Sequence, residues 1–188
     1  MAFLSWFCIA MLWLVSEVQA KVVFEPYGGY MSASISHVGT QTDTYQAWGL
    51  GARLMNRFPR GLFLGLDGSY FRALSYQSSD SNQAHAGNPH FYQAAIVIGA
   101  YLLRPIRIWV GYQFLDRMYL QGSQSPLNQG TSYKAGASLR ISKKLNLNGE
   151  YFVGHYTQGY ASTLASENGE SSPLSKRLFF SLSIPLTI

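Results

Sequence analysis

The sequence predicts an all-β fold, an eight-stranded antiparallel up-and-down transmembrane β-barrel, on three observations. Charged residues make up 12% of the chain and aromatics 15%, whereas soluble domains are about a quarter charged; so few charges cannot clothe a water-facing surface. After Val15 no apolar run approaches the ~20 residues that a spanning helix needs. Backbone groups in lipid must be satisfied internally, which leaves a closed barrel. Finally, stretch after stretch of about ten residues alternates apolar and polar, as a strand with one face in lipid must.

The first element is not a strand. Ala2 to Val15 is apolar apart from Ser5, and Val18-Gln19-Ala20 follows. That order reads as a signal peptide over residues 1–20, cleaved before Lys21, although its first residues carry no Lys or Arg. Residues 21–188 suit a single domain. Cys8 is the only cysteine, so the remaining chain offers no disulfide and no thiolate ligand.

Phe24 to Ser36 is the first strand. Gln46 to Asn56 sets Trp48, Leu50, Ala52 and Leu54 against Ala47, Gly49, Gly51 and Arg53. Leu62 to Ser75 sets Leu62, Leu64, Leu66, Gly68 and Tyr70 against Phe63, Gly65, Asp67 and Ser69. In the fourth strand Tyr92, Ala94, Ile96, Ile98, Ala100 and Leu102 oppose Gln93, Ala95, Val97, Gly99 and Tyr101. In the fifth, Ile108, Val110, Tyr112 and Phe114 oppose Arg107, Trp109, Gly111 and Gln113. Tyr133, Ala135, Ala137, Leu139 and Ile141 then oppose Lys134, Gly136, Ser138, Arg140 and Ser142. Leu145, Leu147, Gly149, Tyr151 and Val153 oppose Asn146, Asn148, Glu150 and Phe152. The eighth strand sets Leu178, Phe180, Leu182, Ile184 and Leu186 against Arg177, Phe179, Ser181, Ser183 and Pro185.

The connections alternate between tight and long, as in up-and-down barrels with short periplasmic turns and longer extracellular loops. Tight turns fall at Arg57–Gly61, Arg104-Pro105 and Ser142–Lys144; long polar loops fall at 37–44, 77–90, 120–130 and 157–173. The tight turns hold Arg57, Arg60, Arg104, Lys143 and Lys144, and the long loops hold Asp43, Asp80, Glu167 and Glu170. The net charge of +5 is spread over turns and one strand face without a contiguous strip, so nucleic acid is not an expected partner. A basic rim beside anionic headgroups accounts for it.

The inner face of an eight-stranded barrel is just wide enough for its own side chains. Parity places Arg53, Asp67, Arg107, Lys134, Arg140 and Glu150 there, with Arg53 and Asp67 on neighbouring diagonal positions. Unpaired buried charge is costly, so these residues are expected to form an ion-pair and hydrogen-bond network that plugs the barrel. Trp48, Tyr70, Tyr92, Tyr112, Tyr133 and Tyr151 are expected to form an aromatic girdle where lipid meets water. A sugar-binding platform of Tyr119, Tyr156 and Tyr160 is the competing use of aromatics.

With its alternation, its turn lengths and an opening Phe24-Glu25-Pro26-Tyr27-Gly28-Gly29-Tyr30, the chain resembles the small outer-membrane barrels: the OmpA transmembrane domain, OmpX and the OmpW-like proteins. The resemblance covers essentially residues 21–188 and rests on pattern. It implies the outer membrane of a Gram-negative cell, with lipopolysaccharide, phospholipid and the barrel assembly machinery as partners. Members typically end in an aromatic residue, whereas this chain ends Pro185-Leu186-Thr187-Ile188.

These readings favour a non-enzymatic structural or surface-interaction protein without cofactor or metal, its loops being the working part. A narrow, porin-like channel for small or apolar solutes is the first alternative. The second is a lipid A-modifying enzyme, because His155-Tyr156-Thr157-Gln158 loosely resembles the His-x-Ser-Asn pattern of the lipid A deacylases, with Glu167 or Glu170 as a possible acid. Thr157 and Gln158 replace its Ser and Asn. His37, His85 and His90 show no ligand spacing. A soluble barrel with the apolar face turned inward would need the Gly- and Ala-rich face to cover its outside in water, for which it has too few charges.

Overall fold

The computed structural model describes residues 21–36, 42–78, 88–119, 128–159 and 174–188. The proposed signal segment lies outside these, as do most of the loops. Eight long strands form the wall: β1 Lys21–Ser36, β2 Thr42–Arg57, β3 Leu62–Ser78, β4 His90–Leu103, β5 Ile106–Tyr119, β6 Asn128–Ser142, β7 Leu145–Gly159 and β8 Leu174–Ser183. A two-residue β9, Leu186–Thr187, continues β8 along β1. A 3-10 turn, Pro59–Gly61, joins β2 to β3, and there Arg60 and Gly61 adopt positive φ (63° and 81°).

Each strand pairs antiparallel with its neighbours in sequence, and β1 pairs with both β2 and β8, closing the sheet. A row of Cα partners that starts at Leu62 passes Ala100, Ile108, Ala137, Gly149, Phe180, Tyr30 and Trp48. It returns to β3 at Arg72, ten residues further on. With eight strands this stagger tilts them about 40° and gives a backbone cylinder about 16 Å across. Such a bore holds side chains and little else.

The wall separates the two faces residue by residue. In β3 and β4, Leu66 (56% exposed) and Ile98 (53%) point outward while their sequence neighbours Asp67 (4%) and Val97 (0%) are buried. The outward set is aliphatic and aromatic, a belt that is stable only in lipid. Inside, small residues leave room for large ones: Trp109 lies against Gly136, and Phe71 against Gly49, where a Cβ would collide with the ring.

Strands β2, β3, β5, β6 and β7 run further toward the loop end than the hydrophobic pattern indicates. Residues 42–44, 77–78, 128–130 and 157–159 belong to strands, and Asp43, expected in a loop, is buried on the inner side of β2. Bulges explain why the pattern fades there. The register shifts between Gln113 and Asp116 in β5, where two residues face one on β6. Inward parity therefore moves from Arg107, Trp109 and Gln113 to Asp116 and Met118, and the alternation that marks a strand in sequence breaks.

Candidate functional site: the barrel interior

Four carboxylates (Glu25, Asp67, Asp116, Glu150) and four cations (Arg53, Arg107, Lys134, Arg177) fill the described interior in three layers. Nearest the turn end, Arg107 Nη1 and Nη2 donate to Glu25 at 2.7 and 2.9 Å, and Asn146 Nδ2 donates to the same carboxylate at 3.0 Å. The pair is set among Val23, Met55, Phe63, Val97 and Trp109. At mid-height, Asp67 accepts from Arg53 Nε (2.6 Å), Lys134 Nζ (2.6 Å) and the Tyr27 hydroxyl (2.5 Å). Glu150 accepts from Arg53 and lies 3.2 Å from Lys134 Nζ. Arg53 and Asp67 are direct partners across the β2–β3 ladder, not diagonal ones. The Arg53 guanidinium lies between the Trp109 ring (4.4 Å to its centroid) and the Tyr27 ring (4.8 Å).

The third layer is built on Asp116, which grips Arg177 in a two-pronged ion pair, Nη1 donating to Oδ1 at 2.9 Å and Nη2 to Oδ2. Ser132 donates to Asp116 at 3.0 Å, and Gln113 Nε2 donates to Gln93 Oε1 at 2.9 Å. Above it, Met31, Ile35, Tyr45, Phe71, Phe91, Met118 and Tyr156 pack into an apolar cap. Three layers, each holding at least one ion pair and interleaved with rings, balance four carboxylates against four cations in the described bore, with Asp43 near the loop end as a further buried carboxylate. That balance is what burial of charge requires.

The residues expected inside divide as follows. Arg53, Asp67, Arg107, Lys134 and Glu150 share the interior. Arg140 does not: it is exposed at the turn end of β6, where its backbone N–H donates to Pro105 O. Parity still points it inward, but the bore ends there and a long cationic side chain reaches water. Sequence reasoning left out Glu25, Asp116 and Arg177, which complete the charge balance.

All six girdle candidates turn outward. Trp48, Tyr70, Tyr92 and Tyr133 sit eight or more residues from the turn ends of their strands, whereas Tyr112 and Tyr151 are only six residues from theirs. At a rise of about 2.5 Å per residue along the barrel axis, those two tyrosines lie mid-belt, because β5 and β7 run on to Tyr119 and Gly159. The tyrosine platform also divides: Tyr156 is buried in the bore and Tyr119 faces out, with Tyr160 outside the described residues.

His155 and Thr157 are exposed on the outer side of β7, while every carboxylate among the described residues turns inward. Glu167 and Glu170, like His37 and His85, lie outside the described residues. His90 stacks on Tyr119. No group of three potential metal ligands occurs among the described residues.

No protein-family model and no curated protein matches the chain in sequence. Solved structures do match its shape. Neisserial surface protein A superposes with a TM-score of 0.54 at 13% identity, over 86% of this chain and 96% of that one. Ail, the attachment invasion locus protein of Yersinia pestis, determined in complex with the heparin analogue sucrose octasulfate, gives 0.54 at 12%, over 88% and 99%. This chain has the fold of the small outer-membrane β-barrels. The aliphatic belt of this barrel faces lipid, and its plugged bore is the counterpart of that belt: polar side chains excluded from lipid pair with one another inside.

Proposed function

We propose that this outer-membrane barrel is a closed, non-catalytic scaffold whose loop end carries a surface-interaction role. The observation that carries the proposal is the interior: paired charges and packed rings fill the described bore from Glu25 to Tyr156. Such a lumen offers solutes no path without disrupting several buried ion pairs, each costly to break. This argues against the narrow channel. Thr157 and Gln158 depart from the Ser and Asn of the His-x-Ser-Asn pattern, which weighs against the deacylase reading. Ail, named as an attachment protein, has the same fold, and a surface-interaction role is in keeping with it.

The test has two arms. The purified chain in planar bilayers gives no discrete conductance, whereas steps that shift on Glu150→Gln would overturn the closed scaffold. Cells whose chain has residues 160–173 replaced by a short Gly-Ser connection lose surface binding relative to cells bearing the unaltered chain, while the folded barrel persists. Unchanged binding would overturn the role assigned to that loop. Altered lipid A on expression, abolished by His155→Ala, would restore the enzyme reading.

A further inference from the structure

We propose that the outer wall of β3–β5 is a binding site for lipid A, the phosphorylated glycolipid of the outer leaflet. Arg72 and Arg117 clasp its phosphate-bearing headgroup, and an apolar groove beneath them takes its acyl chains. This site is on the lipid-facing side of the wall, separate from the interior.

The ladder brings the headgroup residues together. One row of partners runs Trp48, Arg72, His90, Tyr119, and the next runs Leu50, Tyr70, Tyr92, Arg117. Both arginines are on the outward face, Arg72 by the even parity of β3 and Arg117 because the β5 bulge has moved the outward positions to odd numbers. Their Cα atoms are about 12 Å apart by strand spacing and rise, and about 25 Å above the turn end, at the edge of an apolar band about 25 Å tall. The rings between them are ordered: His90 stacks on Tyr119 at 5.6 Å, and Tyr92 meets Tyr70 at 5.1 Å and Tyr119 at 5.7 Å.

Among the described residues these cations have no acidic counterpart on the outer face. All the carboxylates among the described residues are inside the bore, on the other side of the wall. Arg117 is half-buried, and its Nε has no hydrogen-bond partner. Arginines at the border of lipid, with no carboxylate on the outer face of the described wall, are costly to leave unpaired. Phosphate oxygens match the guanidinium fork, and the match is strongest where water is scarce.

The second observation is independent of charge. Directly below, Gly68 and Ala94 form a row of small outward residues, and a Cβ on Gly68 would meet nothing within 4 Å. Further down the wall lies a groove of about 660 Å³, lined by Leu64, Ile96, Val110 and Tyr112 of β3–β5 and reaching Tyr133 and Tyr151 of β6 and β7. Four residues of β4 separate Tyr92 from Ile96, roughly 13 Å along the strand. Cations above on β3 and β5, and an apolar trough below that begins on β3–β5 and continues across β6 and β7, match an anionic headgroup whose chains descend into the membrane. A soluble anion would use only the upper half.

The full-length chain, purified and folded in detergent, is exchanged and weighed by native mass spectrometry after addition of lipid A, lipid A with both phosphates removed, phosphatidylglycerol or inorganic phosphate. The proposal expects one lipid A retained per barrel. Retention falls at least tenfold without the phosphates, at least tenfold in Arg72→Gln/Arg117→Gln, and several-fold in Ala94→Trp, which fills the low strip beneath the arginines. Lys143→Gln/Lys144→Gln at the opposite end binds as the unaltered chain does. A gel shift between unboiled and boiled samples verifies that each variant is folded; should the double arginine variant fail it, Arg117→Lys and Arg72→Lys singly, which keep charge but lose the fork, are expected to weaken retention. Equal retention of phosphatidylglycerol, displacement of lipid A by inorganic phosphate, or lipid A binding unaffected by the arginine substitutions would each overturn the proposal.

Discussion

Replacing Asp116 with Asn removes the only carboxylate that pairs with Arg177 among the described residues. The two side chains are 1–2% exposed and doubly bonded, so the change leaves a guanidinium in a bore too full to hydrate it. Breaking one partner of a buried pair costs about 3–5 kcal/mol, which is roughly two to three and a half powers of ten in the folding equilibrium. Arg177→Met strands Asp116 and carries a similar cost. The double variant Asp116→Asn/Arg177→Met removes both charges together and leaves Ser132 and Gln113 to bond the new amide, so its cost falls well below the sum of the singles. The coupling energy expected is at least 2 kcal/mol, near the top of the range for contacting residues. Urea unfolding in lipid vesicles, followed by tryptophan fluorescence and by the gel shift, measures all four corners of the cycle. Additive singles of under 1 kcal/mol each would refute the reasoning, because they would mean that water already reaches this layer.

Three further outcomes follow from the wall. Gly136→Leu drives a side chain into the Trp109 ring; it is expected to destabilise by about 1–3 kcal/mol and to shift the emission of Trp109, measured in a Trp48→Phe background. Gly68→Val, on the open outward side, should change stability by under about 0.5 kcal/mol in the same unfolding assay. Leu66→Arg places a charge in the aliphatic belt and should cost about 2–4 kcal/mol if Leu66 lies near the midplane, with a proportional loss of folded, heat-modifiable protein.

The fold was legible because lipid enforces a rule that water does not: every second residue of a spanning strand must be apolar. Leu62 to Tyr70 and Tyr133 to Ile141 keep that rule without a break, and the structure places them as the rule requires. The inner charges on those regular stretches, Asp67 and Lys134, were legible for the same reason. Asp116 was not, because uninterrupted parity from Arg107 turns it toward lipid. An acidic residue cannot rest there, and that conflict is itself the signal that a bulge intervenes. Arg177 had the right parity, but its partner was hidden with Asp116. Glu25 is in a strand whose first residues, Val22, Val23 and Phe24, are all apolar and blur the alternation. Arg140 shows the converse: parity holds to the last residue of a strand, but burial stops where the bore does. Strand ends at the loop side were too short in the sequence reading because interior polar residues such as Asn128 and Ser132 look like loop composition when read without their partners.

The most direct test of the account is a nitroxide scan along β5, one cysteine at a time from Val110 to Met118, in lipid vesicles with dissolved oxygen as the collision partner. With Cys8 removed by substitution or cleavage, each engineered cysteine is unique. The account expects high oxygen accessibility at Val110, Tyr112 and Phe114, continuing at Leu115 and Arg117 after the bulge, and low accessibility at Gly111, Gln113, Asp116 and Met118. Unbroken alternation through residue 118 would contradict the bulge and the Asp116–Arg177 layer. Low accessibility at Val110 and Tyr112 would contradict the lipid-facing wall itself.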